Sequence, residues 1–274
     1  MAKILITGSN SGFGKLAALS LARQGHQVIA TMRNLSKGTD LEDCATEEKL
    51  DLEIKQLDVT DPDSVTNCIN NPEELDVLIN NAGFEVQAAV EQIDDELMLK
   101  QLETNVLGPL RTMRAVIPTW SERGSGVIVN VSSIAGRVAS PYSGAYSASK
   151  FALEALSEAA HFEVSQLGIR IHLIEPGRFQ TGFFDNIIRP EIWAGSPQEK
   201  RAQHFRESLT SLDGSGERPD PQLVADAIVA AATNPSAPFR KLVGGDAELI
   251  DATKTSMSFE EFEATMRAAL NWYD

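Results

Sequence analysis

Two cysteines, Cys44 and Cys68, are all that the 274 residues contain, and they form no C-x-x-C. A disulfide framework and a cysteine-built zinc site are therefore excluded, and both residues read as reduced packing thiols of a cytoplasmic protein. Basic side chains are also scarce, 24 against 39 acidic ones, for a net charge of −15. A chain this acidic lacks the basic face that nucleic acid or an anionic membrane demands, so neither is expected as a partner. Long apolar runs are missing too. The first, Ile4-Leu5-Ile6, is followed at once by Thr7-Gly8, which leaves no room for a secretory core. No stretch approaches the roughly 18 apolar residues of a membrane span.

What is present is alternation. Short apolar runs at Ile4–Ile6, Val28–Thr31, Leu52–Leu57, Leu75–Ile79, Val127–Val131, Ile169–Ile174 and Lys241–Val243 are separated by helical patterns. This predicts an α/β protein: a Rossmann-like, doubly wound parallel sheet of about seven strands with helices on both faces. A helix is expected over Gly14–Gln24, closed by Gly25. Asp61-Pro62 and Asp220-Pro221 each place a capping Asp before a Pro at the first helical position. Asp94 opens another helix, and a long one runs from near Ser143 to Gly168. Glu260, Glu261 and Glu263 read as the solvated face of a C-terminal helix. With no repeat or low-complexity linker, residues 1–274 read as one domain. The segment 182–219 is broken by Pro190 and Pro197 yet carries Phe183, Phe184, Ile187, Ile188, Ile192 and Trp193, which reads as a substrate lid. A tail follows from about 246 to 274.

Chemistry concentrates at the predicted strand ends. Thr7-Gly8-Ser9-Asn10-Ser11-Gly12-Phe13-Gly14 lies between the first strand and the first helix, where glycines let the backbone approach a pyrophosphate. The second strand ends Ala30-Thr31-Met32-Arg33-Asn34, with no carboxylate to bind a ribose 2′-hydroxyl. Arg33 instead suits a 2′-phosphate, so NADP(H) is favoured over NAD(H). Tyr146 and Lys150 stand four apart and share a helix face. An ammonium about 4 Å from a phenol contributes on the order of 4 kcal/mol at an effective dielectric near 20, roughly three pK units, enough to make the phenol an acid/base group at neutral pH. Ser133 lies at the end of the fifth strand, where a hydroxyl can hold a carbonyl oxygen, and Ser132 rivals it. Pro109 has no N–H to give to the Asn105 carbonyl, so a helix kink is expected there.

These residues together resemble the short-chain dehydrogenase/reductase family in its single-domain branch. The resemblance rests on Thr7-Gly8-x-x-x-Gly12-x-Gly14, Asp58, Asn80-Asn81-Ala82-Gly83, Asn105, Ser133, Tyr146-x-x-x-Lys150, and Pro176-Gly177 followed by Thr181. It is dense from Lys3 to Phe184. It implies hydride transfer between a nicotinamide and a carbonyl or alcohol carbon. Tyr146 would be the general acid or base, and Lys150 would lower its pKa and bind the nicotinamide ribose. Ser133 would hold the substrate oxygen and Asn105 a relay water. Gly8, Ser9, Ser11, Gly12, Phe13, Gly14, Arg33, Asn34, Asp58, Val59, Asn81, Ala82, Gly83, Pro176, Gly177, Phe179 and Thr181 would bind cofactor, Asp58 at the adenine. No metal is required. Glu175-Pro176-Gly177-Arg178-Phe179 and the tail resemble the subgroup that oxidises or reduces steroids and retinoids. An apolar alcohol or ketone is thus the expected substrate, walled by Val138, Tyr142, Phe183, Phe184 and Trp193. Glu85 and Gln87 either add polar selectivity or face solvent. A homodimer or homotetramer is expected by analogy. An NAD-preferring dehydrogenase and a non-catalytic dinucleotide sensor are the alternatives.

Overall fold

In the computed structural model, residues 1–210 and 218–271 are described. A seven-stranded sheet runs in the order β3-β2-β1-β4-β5-β6-β7. Its strands are β1 (Lys3–Ile6), β2 (Gln27–Met32), β3 (Leu52–Gln56), β4 (Val77–Asn80), β5 (Gly126–Val131), β6 (Ile169–Pro176) and β7 (Arg240–Val243), and every pairing is parallel. The helices are α1 (Gly12–Arg23), α2 (Thr39–Glu47), α3 (Pro62–Cys68), α4 (Asp95–Leu102), α5 (Gly108–Arg123), α6 (Gly144–Val164), α7 (Pro197–Thr210), α8 (Gln222–Thr233), α9 (Gly245–Thr255) and α10 (Phe259–Leu270). No helix among the described residues is long and apolar enough to cross a membrane.

Alternate residues of each strand feed opposite faces, as the period of two requires. Ile4, Ile6, Val28, Ala30, Ile79 and Val129 join Ala18 and Leu21 of α1 and Ile228 of α8 in one core layer. Leu5, Ile29, Leu78, Ile128 and Ile171 join Val116 and Trp120 of α5 in the other. Residues wholly removed from water on both sides are what give these strands their continuous apolar runs.

On the α5 and α6 side of the sheet lies a polar seam that the sequence did not announce. Asn80 Nδ2 donates to Asn130 Oδ1 (2.9 Å), Thr112 Oγ1 to Asn80 Oδ1 (2.7 Å), and Asn130 Nδ2 to Ser157 Oγ (2.8 Å). Each buried amide is satisfied, so the seam ties β4 and β5 to α5 and α6 rather than costing stability.

Boundaries differ modestly from expectation. The first helix begins at Gly12 rather than Gly14, and the fourth strand begins at Val77 rather than Leu75. Asp61 caps α3 by accepting from Asp63 N at 2.9 Å. Asp220 accepts from Gln222 N, which moves the start of α8 one residue past Pro221. Around Asn105 the expected kink takes the form of a π-helical turn, Glu103–Leu107, leading into Pro109. The lost N–H is absorbed by a local change of helical pitch. Within segment 182–219 the chain forms α7, whose Ala202 and Phe205 are buried. Residues 211–217 of that segment and 272–274 of the tail lie outside the described residues.

Candidate active site

The carboxyl ends of β1, β2, β4, β5 and β6 open onto one cavity of about 1,070 Å³. One end is lined by Arg33, Asn34, Lys37, Asp58 and Val59, and the turn after β1 contributes Gly8, Ser11, Gly12 and Phe13. Asn81, Ala82 and Gly83 come from the end of β4, and Pro176, Gly177, Phe179 and Thr181 from the end of β6. The far end holds Ser133, Val138, Tyr142, Tyr146, Lys150, Phe183 and Phe184.

The glycine turn is built for close approach. Gly8 has φ 69°, and a Cβ there would lie 2.8 Å from Ala82 Cα. A Cβ on Gly14 would sit 2.4 Å from Asn81 Nδ2 and 2.5 Å from the Gly8 carbonyl. That amide is occupied, donating to Thr7 O (3.0 Å) and Gly8 O (2.8 Å), while Thr7 Oγ1 accepts from the N–H groups of Asn81 and Ala82. The turn is thus clamped against β4. The N-terminus of α1 carries no side-chain cap and no acidic residue in its first turn. Free N–H groups at a helix start, reached through a side-chain-free turn, fit a pyrophosphate.

Four expected site residues do not line the cavity. Ser9 is wholly buried, its N–H given to Thr31 O (2.9 Å) and its hydroxyl to Ile6 O (3.1 Å). Gly14 acts through packing on Asn81. Trp193 is 3% exposed and stacks edge-on against Tyr142, centroids 6.3 Å apart, so it backs the wall instead of forming it. Asn105 is buried behind Gly83. Its Nδ2 donates to Phe84 O (3.0 Å) and Ser149 Oγ (3.1 Å), and its Oδ1 accepts from Phe84 N (3.2 Å). Its side chain is fully engaged, which leaves only the main-chain carbonyl of the π-helical turn for a relay water.

At the far end, Ser133 rather than Ser132 partners the Tyr146 phenol. Ser133 Oγ accepts from Ala135 N at 3.1 Å. Lys150 Nζ donates to Val131 O at 2.8 Å and lies 5.6 Å from the Tyr146 ring centroid. The expectation that Lys150 depresses the phenol's pKa is corrected here. Burial pushes the Tyr146 phenol well above its ordinary value, and the Ser133 bond offsets this only in part. Burial likewise pushes the Lys150 ammonium down to about 8, while Glu154 opposes that shift. Both charged forms lose hydration together, so desolvation outweighs their spacing.

Sequence reasoning left Glu85 and Gln87 undecided. Both are buried. Glu85 Oε1 accepts from Arg206 Nη2 of α7 (2.8 Å) and from Ser143 Oγ (2.6 Å), and Gln87 Oε1 accepts from Arg189 Nε (2.8 Å). Glu85 O and Gln87 N also bond Ile188. Together they fasten segment 182–210 across the cavity. Tyr142 adopts φ 62°, a left-handed conformation uncommon for a large side chain, at the same wall.

A strand order that steps outward from β1 in both directions, with its glycine turn at the first strand-to-helix junction, is that of a dinucleotide-binding α/β protein. The family model for short chain dehydrogenase matches residues 2–191, and the chain belongs to that family. It is 36% identical to 3-ketodihydrosphingosine reductase of Bacteroides thetaiotaomicron over 258 residues, 92% of this chain and 91% of the relative. To retinol dehydrogenase 8 of Bos taurus it is 35% identical over 251 residues, 87% of this chain and 80% of the relative. A solved structure of ElxO with NADP bound is 28% identical, with TM-score 0.76, over 91% of this chain and all of that one. The protein is accordingly a dinucleotide-binding oxidoreductase of this family, acting on CH–OH and C=O groups.

Proposed function

We propose that the protein interconverts an apolar carbonyl compound and its alcohol with NADP(H), with Tyr146 as the proton-transferring group. The observation that carries this reading is the pairing of the half-buried Tyr146 phenol with Ser133 in the same cavity as the glycine turn. When bound, the nicotinamide supplies or accepts the hydride.

The chain's own residues do the rest. Ser133 Oγ accepts from Ala135 N, and its O–H makes only a long 3.5 Å contact with Pro176 O, which a substrate carbonyl oxygen can replace as acceptor. Tyr146 gives its proton to that oxygen as negative charge develops on it, or takes the proton back in the reverse direction. A phenol held neutral by burial is the donating form. Lys150, fixed by the Val131 carbonyl, presents positive charge beside the phenol and stabilises the phenolate left after transfer. Asn105 contributes its carbonyl in the π-helical turn as the anchor of a relay water. Arg33, backed by Lys37, takes the 2′-phosphate.

Val138, Tyr142, Phe183 and Phe184 give the substrate end an apolar wall, and Phe183 packs edge-on to Tyr146 at 5.8 Å. Residues 182–210 act as the lid over it. The two relatives whose names specify a ketodihydrosphingosine and a retinol favour a substrate with a long apolar body. The test is a panel of ketones, aldehydes and alcohols of increasing apolar length, followed by absorbance of reduced cofactor. Turnover that improves with chain length and prefers NADPH is expected. No turnover of any member with either nicotinamide overturns the reading.

A further inference from the structure

Behind Lys150 lies a charged cluster to which the proposed chemistry assigns no part. Glu154 follows Lys150 by one turn of α6, and Glu175 is the penultimate residue of β6, immediately before Pro176-Gly177. Both are buried, at 6% and 1% exposure. Arg240 of β7 joins them: its Nε lies 3.2 Å from Glu154 Oε2 and 3.4 Å from Glu175 Oε1, and its Nη2 lies 2.7 Å from the exposed Glu158. Arg137, after β5, adds positive charge toward Glu175 but is paired at 3.1 Å with Asp251 of α9.

The balance of this cluster is uneven. Glu154 and Glu175 converge on one nitrogen, Arg240 Nε, because Arg240 Nη2 is given to Glu158 and Arg137 to Asp251. Two buried carboxylates on one guanidinium nitrogen are costly, and a proton on one of them relieves that cost. Its place is visible. No N–H or O–H among the described residues donates to Glu154 Oε1 or Glu175 Oε1, both out of contact with water. Arg240 Nε, 3.2 Å from Glu154 Oε2 and 3.4 Å from Glu175 Oε1, holds the two carboxyls side by side. Two carboxylates can bond only when one of them is protonated.

We propose that Glu154 and Glu175 share one proton behind Lys150 and are positioning residues that set the charge of its ammonium. Burial and the neighbouring Glu154 push the Glu175 carboxyl well above its ordinary value, which favours the proton on that side. Glu154 opposes the desolvation of Lys150. Ser132, whose buried Oγ is also unpartnered, and the bare Cα of Gly136 border this spot: a Cβ on Gly136 would lie 2.9 Å from Ser132 Oγ and 3.0 Å from Glu154 Cγ.

The proposal rests on Lys150 serving Tyr146 as described above, and its test separates the two. The first readout is the infrared spectrum of the whole protein at pH 7, which needs no turnover. A protonated-carboxyl band that Glu175→Gln removes is expected. Absence of such a band in the wild type, or its survival in both Glu175→Gln and Glu154→Gln, overturns the proposal even if a variant fails to fold. The second readout is the alkaline limb of the rate–pH profile. Glu154→Gln removes the anion facing Lys150 and moves the limb down by about one pH unit. Glu175→Gln removes the second anion that forms beside Lys150 as pH rises and moves the limb down by less. Glu158→Gln, exposed, leaves it in place. Folded variants that lose rate while both limbs stay at the wild-type pH are merely structural and overturn the proposal. A wild type that turns over nothing defeats the enzymatic reading instead, while the infrared band still decides the shared proton.

Discussion

Arg33→Ala isolates the cofactor-selecting charge. Arg33 follows the last residue of β2 and is exposed at the cavity's polar end. No described residue makes a hydrogen bond or ion pair with its guanidinium. Only its carbonyl is used, as acceptor from Gln56 Nε2 at 3.2 Å. Truncation therefore breaks nothing in the fold, and stability should stay within about 0.5 kcal/mol. A hydrogen bond to a charged phosphate is worth about 1.5–3 kcal/mol, which corresponds to roughly 10- to 150-fold in Kd. Lys37 lines the same end and retains part of the attraction, so the lower half of that range is expected. Isothermal titration with NADP+ and with NAD+ in the same buffer reads it. The NADP+ affinity should fall at least tenfold while the NAD+ affinity changes by less than twofold, and the NADP+ loss should shrink with added salt. Equal losses for both cofactors, or none, would refute the reasoning, because no 2′-phosphate would then be sensed at this position.

Other perturbations address the remaining parts of the site. Gly14→Ala drives a methyl into Asn81 Nδ2 and the Gly8 carbonyl; a loss of about 1–3 kcal/mol is expected, with the melting midpoint falling about 2–4 °C per kcal/mol, and an unchanged midpoint argues against the clamp. Arg206→Ala removes the ion pair to Glu85, so hydrogen exchange in α7 should accelerate and KM for substrate should rise with little change in kcat; unaltered exchange would show that the pair does not fasten the segment. Lys150 loses its proton as pH rises through about 8, so reductive turnover should be flat below that pH and decline above it. A decline that begins only near 10 would mean that the ammonium is not desolvated as described.

The strands were legible because residues buried on both faces leave continuous apolar runs, and the glycine turn because close backbone approach admits nothing larger. Side-chain direction was not. Tyr146 and Lys150 do share a face, but Lys150 reaches across to Val131 O instead of to the phenol, and their common burial reverses the expected shift. The helix α7 escaped notice because Pro197 reads as a breaker although it occupies a helix start, and because only Ala202 and Phe205 of that helix are buried. Trp193 was drawn into the substrate wall by its size, yet it packs behind Tyr142. Glu154 was not singled out and Glu175 entered only through the Glu175-Pro176-Gly177 segment, since nothing in local sequence reveals that β6 and α6 bury them against Arg240. The seam of Asn80, Asn130, Thr112 and Ser157 is likewise a product of register across four elements.

Tyr146→Phe tests the whole scheme most directly, because it deletes one oxygen from a half-buried ring and leaves the rest of the cavity in place. With cofactor binding and turnover measured on the same preparation, turnover of the best carbonyl substrate should drop by about 10²–10⁴ while NADP+ binds within a few-fold of wild type. Turnover retained within tenfold would show that the proton comes from elsewhere and contradict the account.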